Sequence, residues 1–180
     1  FLNAGPGYGG SCLPKDMSAL INFADSIGVN PTFLKAVEKT NHEQIDNIIS
    51  LMKKELGKIK CKKITILGTA FKPNTNDIRA SKSIELIKKL LKNNAKITVH
   101  DPKALENTKK IFGSKINYVT SLQDALDKSH CVVIMTHWKQ YNQLNKNSLR
   151  IMKSKIVIDT RRILIGKELG GRYFAVGIGR

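Results

Sequence analysis

The residues best suited to chemistry lie close together near the start of the chain. Cys12, Lys15 and Asp16 directly follow a glycine-rich run that ends at Gly10. A thiol beside a cation and a carboxylate suits covalent catalysis at a carbonyl carbon. If a helix begins just after Cys12, its free N–H groups and positive end favour a thiolate, and Asp16 lies one helical turn later on the same face. Spacing alone fits equally well a structural cysteine that is buried beside a capped helix.

The glycines before the cysteine pose a second question. Gly5, Gly7 and Gly10 satisfy the G-x-G-x-x-G pattern of dinucleotide-binding turns, which follow a hydrophobic strand and open a helix within a βαβ unit. Here residues 1–4 make a poor strand, and the next strand is expected more than forty residues downstream. Glycine's other use, close approach of the backbone to a ligand, explains the pattern better.

Two helices are predicted after this run. Apolar residues at helical spacing predict a helix over residues 15–26, ended by Gly28. Asn30-Pro31 reads as a helix start, and an apolar face then continues to Leu56, where Gly57 is the stop signal. A helix of about 25 residues is roughly 37 Å long. That length suits a helix that crosses between two domains or carries a dimer contact.

From residue 58 onward the pattern changes to alternating strands and helices. Strands are predicted at residues 62–68, 96–100, near 118, 131–135, 156–159 and 173–176, with helices at 81–91, 103–111 and 122–127. This alternation predicts an α/β fold with a doubly wound, mainly parallel sheet. The change of composition places the boundary between the helical segment and the sheet near residues 57–61.

Composition limits the class of protein. The chain has 180 residues and a net charge of +17. Its apolar fraction of 41% excludes a disordered tail. The scattered lysines are read mainly as a solvated surface that attracts anions. Three cysteines without a C-x-x-C pair argue for a reducing, cytoplasmic compartment and against a disulfide framework or a metal site. No membrane span or signal peptide is expected, and the opening without Met indicates a piece of a longer protein.

Four stretches resemble the UDP-glucose/GDP-mannose dehydrogenase family, which oxidises nucleotide sugars. Gly-Tyr-Gly-Gly-Ser-Cys-Leu-Pro-Lys-Asp, residues 7–16, is similar to the catalytic cysteine segment of the family. Residues 68–79 resemble the turn after the first strand of its C-terminal domain. Asp159-Thr160-Arg161-Arg162 resembles its late Asp-x-Arg, and residues 177–180 resemble its closing segment.

The resemblance implies a domain arrangement and a reaction. Residues 1–57 correspond to the end of a helical central, dimerisation domain, and residues 58–180 to a C-terminal, Rossmann-like domain that binds a UDP-sugar. The N-terminal NAD-binding domain is absent from this chain. The implied reaction oxidises the sugar C6 alcohol to a carboxylate with two NAD⁺, through a thiohemiacetal and a thioester on Cys12, and the isolated chain is expected to be inactive.

The same resemblance assigns individual roles. Cys12 is the nucleophile and Asp16 the base or water-positioning group. The other assignments are Lys15 and Arg79 at the cofactor, and Phe1, Leu2, Tyr8, Gly9, Leu13, Phe71, Lys72 and Arg161 at the substrate. Without the resemblance, Phe71 reads as ordinary core, Lys72 and Arg161 as solvated charges, and Asp77 or Ser81 as a helix cap.

Several alternatives stay open on the residues alone. Asn3, Asn76, Ala80 and Lys82 depart from the family's usual residues, which loosens the choice of sugar among UDP-glucose, GDP-mannose and a UDP-N-acetylhexosamine. A basic nucleic-acid-binding module and a nucleotide-binding domain without catalytic use of Cys12 are the competing functions. UDP-glucose, a homodimer through the long helix, and no nucleic-acid or membrane partner are the preferred expectations.

One acidic residue mimics a dinucleotide site. Asp101 follows a strand, as does the ribose-binding acid of a dinucleotide fold, but its distance from Gly68 is too long, so an Asp-Pro turn is favoured. Residues 68–75 mimic a phosphate loop without its Gly-Lys-Thr ending. His100 and the other histidines are expected to be ordinary surface or turn residues.

Overall fold

This computed structural model describes residue 3 and residues 5–178 of the chain. Two helices come first in this part. α1 spans Leu13–Ser26 and α2 spans Thr32–Leu56. Cys12 is the N-cap of α1, and proline lies in its first turn, where a missing N–H is tolerated. α2 begins one residue later than predicted, with Pro31 rather than Asn30 at the N-cap position.

Six parallel strands then form one sheet. They are β1 (Lys63–Leu67), β2 (Lys96–His100), β3 (Asn117–Tyr118), β4 (Cys131–Ile134), β5 (Ile156–Asp159) and β6 (Arg172–Ala175), in the order β3-β2-β1-β4-β5-β6. The connecting helices are α3 (Lys82–Lys92), α4 (Leu105–Phe112) and α5 (Leu122–Leu126), with 3₁₀ turns at Gly113–Lys115, Lys139–Gln143 and Ser148–Ile151. The predicted α/β fold, a long helix followed by a doubly wound parallel sheet, is confirmed.

Both faces of the sheet are covered. In β4, Cys131 and Val133 belong to one core cluster, whereas Val132 and Ile134 belong to the other. Successive side chains of a strand point to opposite faces, so a strand buried on both sides reads as the continuous apolar run seen here.

The long helix packs on the sheet domain. Ile45, Ile48 and Met52 lie in the same core cluster as the strands and α3. Two ion pairs reinforce this packing, from Lys89 Nζ to Asp46 Oδ1 at 2.7 Å and from Arg172 Nη1 to Glu55 Oε2 at 3.0 Å. The apolar face of α2 is therefore occupied within the chain, as expected for a helix that connects a helical segment to a sheet.

The carboxyl ends of the strands are level with one another. Leu67 pairs with His100 and with Ile134, and Ile134 pairs with Asp159. The turns that follow β1, β4 and β5 therefore meet at one edge, which is where open α/β sheets bind ligands. Within the described residues, no helix combines the length and the apolar character that spanning a bilayer requires.

Candidate active site

The glycine loop, defined here as residues 5–12, lies against the carboxyl edge of the sheet. The Gly10 N–H donates to the Arg79 carbonyl oxygen at 3.0 Å. Gly10 has φ +88°, and a Cβ at this position would lie 2.7 Å from Phe71 Cε2 and 2.9 Å from Cδ2. Only glycine combines this backbone conformation with so close an approach to an aromatic ring.

Two more glycines of the loop are in close contact with the sheet domain. A Cβ on Gly5 would lie 2.5 Å from Arg161 Nη1, and one on Gly9 would collide with the carbonyl oxygen of Ala80. The loop therefore touches both the turn region after β1 and the turn after β5. The glycines were predicted to let the backbone approach a ligand; in the structure Gly5, Gly9 and Gly10 instead make their close contacts with the chain's own sheet domain.

The centre of the loop is fixed by an asparagine of α2. The Tyr8 N–H donates to Asn41 Oδ1 at 2.8 Å, and Asn41 Nδ2 donates to the Tyr8 carbonyl oxygen at 3.2 Å. Asn41 is buried. Asn41 is a polar residue within the buried, mainly apolar face of α2, and a polar residue in such a position is the sequence signal that it has a partner.

Cys12 stands at the N-terminal end of α1 and is exposed. Its carbonyl oxygen accepts from the Asp16 N–H at 2.8 Å, and its Sγ lies 3.6 Å from Ser11 Oγ. The alternative of a buried structural cysteine is therefore wrong. The thiol here faces solvent at the first turn of a helix, where a ligand can reach it.

The two charged neighbours of Cys12 also face solvent. Lys15 Nζ lies 3.6 Å from Asp16 Oδ1, and their side chains are 75% and 64% exposed. Leu13, assigned to the substrate pocket, is 47% exposed. These side chains are thus available to a ligand from the open side of α1. Phe1 and Leu2, also assigned to the substrate, lie outside the described residues.

Arg79 is held by a neighbouring carboxylate close to the cysteine. Its Nε and Nη2 donate to Asp77 at 2.7–3.0 Å. This hydrogen-bonded pair raises the pKa of Arg79 and lowers that of Asp77, and the Cys12 sulfur adds a smaller upward effect on Arg79. Asp77 is thus a partner of Arg79, while Ser81 caps α3 by accepting from Ser83 N–H at 3.2 Å.

Phe71 and Lys72 both follow β1. Phe71 faces the glycine loop, and Lys72 faces solvent. Phe71 is half-buried, and its ring packs on Gly10. Lys72 is exposed, and its Nζ lies 5.4 Å from the centre of the Phe71 ring, within the range of a cation–π contact. The pair presents one positive charge beside an aromatic surface.

Arg161 is anchored at the end of β4. Its Nε donates to the Met135 carbonyl oxygen at 2.6 Å, and its backbone N–H donates to Asp159 Oδ1 at 3.0 Å. Burial lowers the pKa of Arg161 to about 10, and Asp159 opposes that shift. The guanidinium stays charged at neutral pH. Because Arg161 is half-buried and hydrogen-bonded to a main-chain carbonyl group, it is a fixed cation beneath Gly5 rather than a freely solvated one.

The turn after β1 is closed by an internal carboxylate. Asp101 Oδ2 accepts from the N–H groups of Thr69 and Ala70 at 2.7 and 3.0 Å, and from Trp138 Nε1 at 3.2 Å. Its Oδ1 accepts from the N–H groups of residues 103 and 104. Those N–H groups are unavailable to a phosphate, so neither Asp101 nor this turn forms a dinucleotide site.

The fold and the site together define a Rossmann-like α/β domain that carries a solvent-facing cysteine loop on the edge where such sheets bind nucleotides. Comparison with known proteins gives the particular family. Residues 65–166 match the profile of the UDP-glucose/GDP-mannose dehydrogenase family, UDP binding domain, and residues 1–43 match the central domain of the same family. The chain belongs to the UDP-glucose/GDP-mannose dehydrogenase family.

Curated relatives and solved structures agree. The UDP-glucose 6-dehydrogenase of Rickettsia conorii is 41% identical over 98% of this chain and 42% of its own length, and TuaD of Bacillus subtilis, also a UDP-glucose 6-dehydrogenase, is 33% identical over 98% and 39%. A UDP-glucose dehydrogenase structure from Pyrobaculum islandicum has a TM-score of 0.88 at 35% identity, covering 98% of this chain and 39% of that one. The chain thus spans about two fifths of the length of these relatives.

Proposed function

We propose that this chain is the cysteine-bearing and UDP-binding part of an NAD-dependent dehydrogenase that oxidises UDP-glucose to UDP-glucuronate. The main observation behind this proposal is that Cys12, at the start of α1, is exposed and lies on a loop packed against the edge of the UDP-binding domain. Relatives at 33–41% identity named UDP-glucose 6-dehydrogenase support the choice of sugar. In this proposal residues 1–57 complete the central domain and residues 58–180 form the UDP-binding domain.

The exposed cluster around Cys12 supports the proposed chemistry. The Cys12 sulfur adds to the carbon of the sugar aldehyde, forming a C–S bond and a thiohemiacetal whose hydroxyl proton is taken up by Asp16 or by water it holds. NAD, when bound, accepts the hydride lost in each of the two oxidations. Water then attacks the resulting thioester, the C–S bond breaks, and Cys12 leaves as a thiolate. A nucleophile is required because an aldehyde has no second hydride to lose until something has added.

Charged and aromatic groups at the sheet edge would hold the substrate. Arg161 is a fixed cation, and Lys72 presents a second positive charge over Phe71, a pair that suits a diphosphate. Tyr8 and Gly9 provide the loop side of the same cleft. Leu13 would flank it, as would Phe1 and Leu2.

Two exposed cations fit the cofactor side. Lys15 and Arg79 both stand near Cys12 and have exposed side chains. In this proposal they meet the anionic part of NAD on the open side of α1. The three free cysteines are in keeping with a cytoplasmic enzyme.

The decisive test is Cys12→Ser in the full-length protein. NADH production and uronate formation are measured against UDP-glucose, GDP-mannose and a UDP-N-acetylhexosamine. We expect the native protein to prefer UDP-glucose and the Cys12→Ser variant to lose uronate formation. The matched control is Cys61→Ser, since Cys61 is also exposed but lies far from the glycine loop in sequence. Full uronate formation by Cys12→Ser would refute the mechanism.

We further propose that the protein forms a homodimer through the first turns of α2 and the adjoining face of α1. The apolar face farther along α2 is occupied by the sheet, yet Phe23 and Phe33 are 60% and 76% exposed, and Leu20, Ile27 and Val29 are also exposed. Exposed apolar residues clustered along two adjacent helices are typical of an interface. Replacing Phe23 and Phe33 by Ser should give monomers in sedimentation, whereas Ile165→Ser, an exposed apolar site elsewhere, should not.

A further inference from the structure

The loop that carries the cysteine is attached to the sheet domain through a buried polar network. The network consists of Asn41 in α2 and of Lys82 and Glu85 in α3. The Asn41 amide pairs with both the N–H and the carbonyl oxygen of Tyr8, so it fixes the orientation of that peptide as a neighbouring strand would. Loss of one partner would leave buried groups unsatisfied.

Lys82 holds the asparagine from the opposite side. Its Nζ donates to the main-chain carbonyl oxygen of Asn41 at 2.8 Å and lies 3.1 Å from Glu85 Oε2. The Lys82 side chain is only 8% exposed. A cation buried in the first turn of a helix opposes the helix dipole and is unfavourable unless it is paired. The Asn41 main-chain oxygen and the Glu85 carboxylate together compensate the charge of Lys82.

The network also fits the backbone of the loop. Gly7 has φ +107°, and a Cβ there would collide with Asn41 Oδ1 and lie 3.1 Å from Lys82 Cε. On the other side of Tyr8, the Gly10 N–H is bound by the Arg79 carbonyl oxygen, three residues before Lys82. The residues just before and at the start of α3 therefore hold the loop at two points, Arg79 directly and Lys82 through Asn41, and Cys12 lies two residues after Gly10.

We propose that Asn41 and Lys82 are positioning residues: they fix the path of residues 7–10 and thereby the place at which the Cys12 thiol meets its carbonyl carbon. Neither acts on the substrate, because both side chains are buried among the loop, α2 and α3. This inference rests on the proposed function for its kinetic consequence, but its structural consequence, the presentation of Cys12, can be measured independently of turnover.

The experiment compares Lys82→Met, which keeps the length of the side chain without its charge, with Lys88→Met. Lys88 is an exposed lysine of the same helix. A misplacement of about 1 Å can lower turnover about 100-fold, so in the full-length enzyme we expect Lys82→Met to lower kcat about 10- to 100-fold. KM for UDP-glucose should change less than kcat, because Arg161, Lys72 and Phe71 keep their places and only the loop side of the proposed cleft, Tyr8 and Gly9, is displaced. Lys82→Arg should recover part of kcat, and Lys88→Met should match the native enzyme.

A second measurement does not require turnover. It compares two cysteines of the same molecule, so it can also be made on an inactive protein or on a variant that folds poorly. The alkylation rate of Cys12 is measured by mass spectrometry relative to that of exposed Cys61 in the same molecule, for the native protein, Lys82→Met and Asn41→Leu. We expect this ratio to change at least about 3-fold in both variants and to be unchanged in Lys88→Met.

The outcomes separate the two proposals. If the native protein oxidises no nucleotide sugar, the proposed function fails, while the Cys12-to-Cys61 ratio still decides the role of the network. If Lys82→Met and Asn41→Leu lower thermal stability but leave both kcat per folded enzyme and the alkylation ratio unchanged, the residues are merely structural and the inference is overturned.

Discussion

Replacing Gly10 with alanine tests the packing of the glycine loop on the sheet domain. Gly10 differs from Gly28 in one useful respect. Both have positive φ, at +88° and +74°, but a Cβ on Gly10 would meet three atoms of the Phe71 ring at 2.7–3.1 Å, whereas one on Gly28 would meet nothing within 4 Å. Gly28→Ala therefore measures the conformational penalty alone, and Gly10→Ala measures that penalty plus the steric one.

The two contributions can be given magnitudes. A left-handed conformation destabilises an alanine by about 1–2 kcal/mol. Forcing a methyl group into a packed contact adds about 1–3 kcal/mol. Gly10→Ala should therefore be less stable than Gly28→Ala by about 1–3 kcal/mol, which for a chain of this size lowers the melting temperature by a further 2–12 °C or so.

The assay is thermal and urea unfolding of the 180-residue chain, with a double-mutant cycle as the specific readout. Phe71→Leu removes the ring atoms that the new methyl group would meet. In that background the excess destabilisation of Gly10→Ala should disappear, giving a coupling energy of about 1–3 kcal/mol. If Gly10→Ala and Gly28→Ala unfold within about 0.5 kcal/mol of each other in the native background, the loop does not pack on Phe71 and the site geometry is wrong.

Three further predictions concern the framework of the site. Asp101→Asn places an amide group against N–H donors, and we expect a loss of about 2–4 kcal/mol in urea unfolding, together with a changed emission of Trp138, the only tryptophan; native stability and emission would contradict the network. Burial lowers the pKa of His100, so the unfolded chain takes up a proton that the folded one does not. The free energy of unfolding should therefore be highest above about pH 6.5 and fall by up to about 1.4 kcal/mol per pH unit below it, with a shallower fall in His100→Gln. Ser81→Ala removes the cap of α3 and should destabilise the chain by about 1 kcal/mol in thermal unfolding, with Ser154→Ala, on a surface loop, near zero.

The elements of the fold were predictable because their signals are local. The apolar run at 131–134 and the turn chemistry at Gly28 and Gly57 specify strand and helix limits within a few residues. Ser81 caps α3; it was one of two candidates, with Asp77, that the sequence offered. The order of strands in the sheet was not predicted, because the same alternation of strands and helices is compatible with more than one doubly wound order.

The contacts of the site were not predictable from spacing, because they join residues distant in sequence. The fixed position of Arg161 depends on a carbonyl group at the end of another strand. His100 was expected at the surface or in a turn, yet it is buried between Tyr141 and the Thr120 carbonyl oxygen. A histidine at the end of a strand has no local feature that distinguishes these cases; only the arrangement of neighbouring strands does.

The internal carboxylate at the turn after β1 constrains how this domain can hold a nucleotide. In a sheet ordered 3-2-1-4-5-6, ligands bind where the chain reverses direction between β1 and β4. A dinucleotide fold meets the phosphate there with backbone N–H groups, but here two of those groups are bound to Asp101. An anionic ligand at this position must therefore be held by side-chain cations. Arg161 is fixed on a carbonyl group just past β4, and Lys72 stands over an aromatic ring after β1. Because the glycine loop contacts the arginine and that ring, a diphosphate held by these cations would lie beside the loop that carries the thiol.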